Sequence, residues 1–297
     1  MKRDSPDDHT GIAKYNAAAR ASSATVIGHY STSFGLAARL LEPRVRSQVR
    51  TIYALVRVAD EIVDGAASQA GVNVDGQRDL LDALERETSQ AMGSGFSTNL
   101  VVHAFAATAR EAGIDTSLTT PFFASMRRDL DPSPFDAAGV AEYIYGSAEV
   151  IGLMCLRCFV QDTRYTTDEL QVLEAGARSL GAAFQKVNFL RDLAADRDAL
   201  GRNYFPGVNL LTMTETQKNE LLDDMDADLD AAARVLPMLP VGSRRAVTAA
   251  HHLFARLSAK LRVTPARELM SARVRVPDPE KIMIALTASF GPGAWKR

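Results

Sequence analysis

The stretch Tyr53-Ala54-Leu55-Val56-Arg57-Val58-Ala59-Asp60-Glu61-Ile62-Val63-Asp64 joins a helical apolar pattern to closely spaced acids. At 3.6 residues per turn, Asp60 and Asp64 lie one turn apart on one face. Arg57 and Tyr53 extend the same stripe, and the residues between them are mostly apolar. Like charges at this spacing repel and slightly destabilise an isolated helix. A cation between the two carboxylates removes that cost.

A second stretch repeats the device: Gly181-Ala-Ala-Phe184-Gln185-Lys-Val-Asn188-Phe-Leu-Arg191-Asp192-Leu-Ala-Ala-Asp196. Asn188, Asp192 and Asp196 are spaced four and four, with Gln185 three residues earlier on nearly the same face. Phe184, Val187, Phe189, Leu190 and Leu193 are apolar. Two such rows facing each other form a site for hard divalent cations. Mg²⁺ prefers oxygen ligands and typically takes one or two carboxylates plus substrate phosphate oxygens. Arg57 and Arg191 add charge-assisted hydrogen bonds to phosphate. Such an arrangement helps a carbon–oxygen bond break by stabilising a leaving diphosphate. One acidic pair on a helix is common by chance, and the doubling on two apolar helices carries the inference.

Outward from these stretches the pattern stays helical. Apolar positions recur at three- and four-residue spacing, predicting helices near 24–40, 44–65, 77–93, 98–112, 116–130, 136–160, 167–198, 214–235, 241–262 and 279–289. Gly- and Pro-containing breaks separate them, and no sustained period-two alternation predicts a sheet. Residues 1–20 read as a loosely held polar tail and residues 21–297 as one all-α domain. The chain has 46% hydrophobic and 24% charged residues, as ordinary globular proteins do. Its formal net charge of −2 lacks the basic excess that nucleic-acid binding needs. No apolar run reaches the roughly 18–20 residues of a membrane span. The polar, charged start is unlike a secretory signal, so the expected location is the cytoplasm.

The two acidic stretches resemble the motifs of the squalene/phytoene synthase family. Tyr30-Ser31-Thr32-Ser33-Phe34, Tyr143-Ile144-Tyr145-Gly146 through Gly152, and Gly201-Arg202-Asn203-Tyr204-Phe205-Pro206 resemble further family segments. The likeness runs from about Val26 to Leu286 and implies the family's single-domain isoprenoid-synthase helical bundle around a central cavity. It implies that Asp60, Asp64, Asn188, Asp192 and Asp196 hold Mg²⁺, with Mn²⁺ as an alternative ion, and through it diphosphate. Arg57 and Arg191 join the four aspartates as catalytic groups. Substrate contacts fall to Tyr30, Ser31, Ser33, Phe34, Tyr53 and Arg57 on one side. On the other they fall to Tyr143, Gln185, Asn188, Arg191, Arg202 and Tyr204.

The activity so implied is head-to-head condensation of two prenyl diphosphates through a cyclopropylcarbinyl diphosphate. The wording of the two acidic stretches resembles bacterial carotenoid-pathway members, which implies two geranylgeranyl diphosphates going to phytoene. A C15-using squalene or dehydrosqualene synthase is the first alternative. A catalytically silent subunit that binds prenyl lipid is an alternative of another class, and a single-substrate terpene cyclase is a third. No Gly-rich nucleotide fingerprint follows a strand, so no NADPH site is expected.

Two positions depart from the family pattern: Glu61, where Asp is frequent, and Glu149, where Gly usually follows Ala148. Glu149 is open between a place near the metal and a pair with an arginine such as Arg157. Cys155 and Cys158 lack partner ligands for zinc and read as buried thiols. His251 and His252, adjacent on a helix, read as structural or surface residues, and His29 as a candidate for contact behind Ser31. Among Phe34, Phe105, Phe122, Phe123 and Phe184, the choice for a prenyl-tunnel wall is Phe34. Arg273-Val-Arg275-Val, with Lys281, Lys296 and Arg297, is mildly basic, which suits either plain solvation or peripheral contact with the inner face of a membrane.

Overall fold

The computed structural model describes residues 11–31, 33–193, 203–271 and 273–288. These form helices throughout, with no strand among the described residues. In chain order they are α1 (Gly11–Tyr30), α2 (Ser33–Ala38), α3 (Pro43–Val63), α4 (Ala66–Gln69), α5 (Val74–Ser94), α6 (Leu100–Ala112) and α7 (Thr116–Asp129). Next come α8 (Ala137–Ile144), a π-turn (Tyr145–Glu149), α9 (Val150–Val160), α10 (Thr167–Arg191), α11 (Glu215–Val235), α12 (Val241–Val263), α13 (Ala266–Leu269) and α14 (Asp278–Thr287).

The helix starts follow local chemistry. Asn73, Asn99, Asp115 and Asp136 each accept a hydrogen bond from a first-turn amide. Thr166 with Glu169, and Thr214 with Gln217, form reciprocal capping boxes at α10 and α11. Pro43 opens α3, where its missing N–H costs nothing. At the far end of α12 the fully buried Lys218 donates to the carbonyls of Arg262 (2.9 Å) and Thr264 (2.6 Å), and its partner acid is Glu215 at 2.7 Å.

Three sequence expectations change. The chain is helical from Gly11, not loose to residue 20: Tyr15 Oη donates to the carbonyls of Ser97 (2.9 Å) and Thr98 (3.1 Å), and α1 packs along α3 and α6. The helix expected over 24–40 is two helices separated at Ser31. Ala137–Val160 is long and apolar enough to cross a bilayer by length and composition, because its sparse charges dilute rather than end the run. It packs against α3, α7 and α10, and its Val150, Met154 and Cys158 belong to a core cluster with Phe105, Phe122 and Phe123.

Helix α10 touches α9 and the π-turn before it backbone to backbone. A Cβ on Gly152 would stand 2.6 Å from the Ala177 carbonyl oxygen, and one on Gly181 would stand 2.6 Å from that of Ala148. This reciprocal pair explains why two motif glycines occur where the functional helices meet.

Candidate active site

An apolar cavity of about 280 Å³ lies between α2, α3, α9, α10, α11 and α12. Val49 and Val56 line it from α3, and Leu173, Gly176, Leu180 and Phe184 line it from α10. Helical spacing continues both stripes directly into the oxygen rows. Val56 is followed one turn on by Asp60 and then Asp64, and Phe184 by Asn188 and Asp192. In each helix the apolar lining positions come first and the oxygen-bearing residues follow along the same face.

On α3 the charges are already paired. Arg57 Nη1 lies 2.6 Å from Asp60 Oδ2, and Arg57 also pairs with Glu61. The guanidinium sits over the Tyr30 ring, 4.3 Å from its centroid. Burial opposes the Arg57 charge, but Asp60 and Glu61 outweigh it and hold its pKa above the usual value. Tyr53 is hydrogen-bonded to Ser31, and its pKa is raised, mainly by burial. Tyr30, Ser31, Tyr53, Arg57 and Asp60 are thereby brought together. Asp64 is the exposed C-cap residue of α3. Glu61 also accepts from the amide of Ala66 at 2.9 Å, so the longer acid binds Arg57 and caps α4 together.

On α10, Gln185 and Asn188 are half-buried. Asn188 Oδ1 is buried and, among the described residues, accepts no hydrogen bond. An orphaned amide oxygen is costly unless something binds it. Asp192 is gripped from two sides: Arg191 Nε donates to Oδ1 at 3.0 Å, and Arg273 Nε lies 2.6 Å from the same oxygen. Lys186 points the other way, to Asp224 (2.5 Å) and Asp228 (2.8 Å), and ties α10 to α11.

Among the described residues no three His, Cys, Asp or Glu side chains converge on one point. The donors on the two rows are nevertheless hard oxygens, and the orphaned Asn188 oxygen stands in the middle of one of them. This donor chemistry fits Mg²⁺. Asp196 and Arg202, named from the sequence, lie outside the described residues, as do the side chains of Ser33 and Phe34.

A second pocket of about 280 Å³ is basic. Arg191, Arg273, Arg275 and Lys281 line it, together with Phe254 and Leu257. From the sequence alone, Arg273 and Arg275 are only part of a mildly basic segment.

Tyr143 and Tyr204, expected from the sequence to contact substrate, are not among the residues that line the apolar cavity. Tyr143 donates to Asp129 Oδ1 at 2.8 Å, and its ring stacks on Tyr204 with centroids 5.4 Å apart. Both belong to an aromatic core with Phe189 and Phe205. Burial first, then the Asp129 charge, pushes the Tyr143 pKa well above its ordinary value.

Glu149 pairs with Arg178 at 2.6 Å, while Arg157 pairs with Glu174 at 3.1 Å. Glu149 is thus neither an Arg157 partner nor among the acids of the two rows. Phe105, Phe122 and Phe123 are core residues, whereas Phe184 lines the cavity. Cys155 borders the cavity, and burial pushes its pKa up to about 12. His29 is exposed, while His251 and His252 are buried.

The all-helical fold, with an apolar hollow opening beside oxygen and arginine rows, defines an enzyme of the prenyltransferase type. The chain belongs to the squalene/phytoene synthase family, whose sequence profile matches residues 27–280. It is 26% identical over 283 residues to a 15-cis-phytoene synthase of Enterobacter agglomerans, covering 87% of this chain and 91% of that one. It is 25% identical over 280 residues to the 15-cis-phytoene synthase of Pantoea ananas, covering 87% of each. Among solved structures, a dehydrosqualene synthase in complex with ligand superposes with a TM-score of 0.76 at 21% identity, covering 93% of this chain and 97% of that one. Squalene synthase HpnC from Alicyclobacillus acidocaldarius gives 0.70 at 18% identity, covering 86% and 96%. These structural likenesses confirm the isoprenoid-synthase type of helical fold.

Proposed function

We propose that this enzyme condenses two geranylgeranyl diphosphates head to head, giving phytoene and releasing two diphosphates. The observation that carries the reading is the continuity of each lining stripe, from Val56 to Asp60 and Asp64, and from Phe184 to Asn188 and Asp192. That continuity suits a substrate with an apolar tail and an anionic head. The phytoene synthase relatives support C20 as the chain length.

Asp60, Asp64, Asn188 and Asp192, with Asp196, are the residues that would hold Mg²⁺. When bound, the ion neutralises diphosphate charge and eases departure of the leaving group. Arg57 and Arg191 bind phosphate oxygens by charge-assisted hydrogen bonds. Tyr53 and Ser31, hydrogen-bonded to each other, orient the head from the α3 side. The cavity wall excludes water from the first cation, so it alkylates the second substrate instead of being hydrolysed. Ionisation of the cyclopropylcarbinyl diphosphate then drives rearrangement, and proton loss ends the sequence without a reductant.

A cytoplasmic enzyme touching the inner membrane face suits such apolar substrates. Exposed Ile282, Met283 and Leu286 on α14, beside the basic segment, support that placement. The test of function supplies equal C15 and C20 prenyl diphosphates with Mg²⁺, with and without NADPH, and weighs the extracted hydrocarbon. A C40 product without NADPH is expected. A C30 product replaces the substrate assignment, and no hydrocarbon from folded protein supports a silent subunit.

A further inference from the structure

Of the described side chains that line the apolar cavity, Ser147 alone brings an oxygen or nitrogen. Its Oγ is buried and, among the described residues, has no hydrogen-bond partner. A helical serine commonly bonds the carbonyl four residues back. Here that carbonyl, of Tyr143, accepts from Ser125 Oγ at 3.2 Å instead. Ser147 also sits inside the π-turn, where the Val150 amide reaches back five residues to the Tyr145 carbonyl. Such turns are frequent at functional sites. A buried hydroxyl without a partner is costly unless a ligand brings one.

The packing against α10 fixes the level of Ser147. Gly152 of α9 abuts the Ala177 carbonyl and Gly181 abuts that of Ala148, so this wall runs antiparallel to α10. Ser147 lies one residue further towards Phe184, the last cavity-lining residue of α10 before Gln185 and Asn188. Phe184 packs there on Phe254 of α12, with ring centroids 3.7 Å apart. An allylic diphosphate with its tail in the cavity and its head at the oxygen rows places its ester oxygen at this level.

We propose that Ser147 is a catalytic residue whose hydroxyl donates to the ester oxygen of the diphosphate as the C1–O bond breaks. The inference rests on the prenyl-condensing reading. The electron pair of the bond leaves on that oxygen, and Ser147 keeps its proton throughout. In the intact substrate the ester oxygen is a weak acceptor. In the departing diphosphate it carries developing negative charge, so the hydrogen bond strengthens at the transition state. The apolar wall around Ser147 strengthens it further.

The test compares Ser147→Ala and Ser147→Cys with the parent in single-turnover reactions with geranylgeranyl diphosphate and Mg²⁺, so that product release does not mask chemistry. Ser147→Ala is expected to slow diphosphate release roughly 10- to 100-fold, the range of a hydrogen bond to a charged group. Cysteine, a weaker donor of similar shape, is expected to fall between. KM should stay within about twofold, as for a contact made mainly in the transition state. Without ligand, Ser147→Ala should melt at the parent's temperature or higher, because its hydroxyl bonds nothing in the fold. Rates within twofold of the parent for both variants overturn this inference alone. So does a slower rate that comes with a lower melting temperature, because the hydroxyl then holds the fold. No hydrocarbon from the unsubstituted enzyme overturns the prenyl-condensing reading and this inference with it.

Discussion

Arg273 Nε lies 2.6 Å from Asp192 Oδ1, although 81 residues separate the two in sequence. Arg191 binds the same carboxylate, so the acid at the end of α10 is shared by two guanidiniums. The segment carrying Arg273 is held near α12 through α14, where Glu280 pairs with Arg256 and, at 3.2 Å, with Lys260.

Arg273→Gln therefore removes one cation from the charged mouth without disturbing the core. A charge-assisted contact to diphosphate is worth about 1.5–3 kcal/mol, so kcat/KM is expected to fall roughly 10- to 100-fold. The Arg273 side chain is half exposed, so thermal stability should change little. Steady-state kinetics with a melting curve check both halves, and an unchanged kcat/KM removes Arg273 from the site.

Asn188→Leu separates binding from folding. Its Oδ1 is a buried acceptor with no hydrogen-bond donor among the described residues, and such a group costs about 1–3 kcal/mol. The variant should melt at the same temperature or higher in EDTA, yet lose the stabilisation that Mg²⁺ with diphosphate gives the parent. Calorimetric melting in both conditions reads this directly.

Tyr143→Phe tests the placement of that ring in the aromatic core. The substitution deprives buried Asp129 of the Tyr143 hydroxyl 2.8 Å away. A loss of about 1–3 kcal/mol in stability is expected, with hydrocarbon formation per folded enzyme largely kept. A large drop in kcat at unchanged stability would return Tyr143 to the substrate site.

Acid sensitivity should track His252. Burial first, and then the neighbouring His251, lowers its pKa from 6.5 to about 4. The unfolded chain therefore binds a proton that the folded chain refuses between these values. This contribution to stability is complete above pH 6.5 and is lost as pH falls towards about 4. Melting temperatures across that window should slope less steeply in His252→Gln than in the parent.

The helices and the two oxygen rows were legible in the sequence because both express one period, 3.6, over long segments. Asp60 with Asp64, and Asn188 with Asp192, needed only that period and the apolar residues around them. The rest depends on tertiary contacts. Nothing local distinguishes Gly11–Arg20 from a polar tail until Tyr15 finds the carbonyls of Ser97 and Thr98. Tyr143 carries a motif position, but its buried partner Asp129 lies on a different helix. Arg273 becomes a site residue only when the chain returns to Asp192. Phe184 and Phe254 become a pair only because α10 and α12 pack together.

The central claim is a condensation of two substrates, and the ratio of diphosphate released to hydrocarbon formed tests it most directly. Purified enzyme with geranylgeranyl diphosphate and Mg²⁺, without NADPH, should release two diphosphates for each C40 hydrocarbon. One diphosphate for each C20 hydrocarbon would mean a single-substrate cyclase and contradict the account.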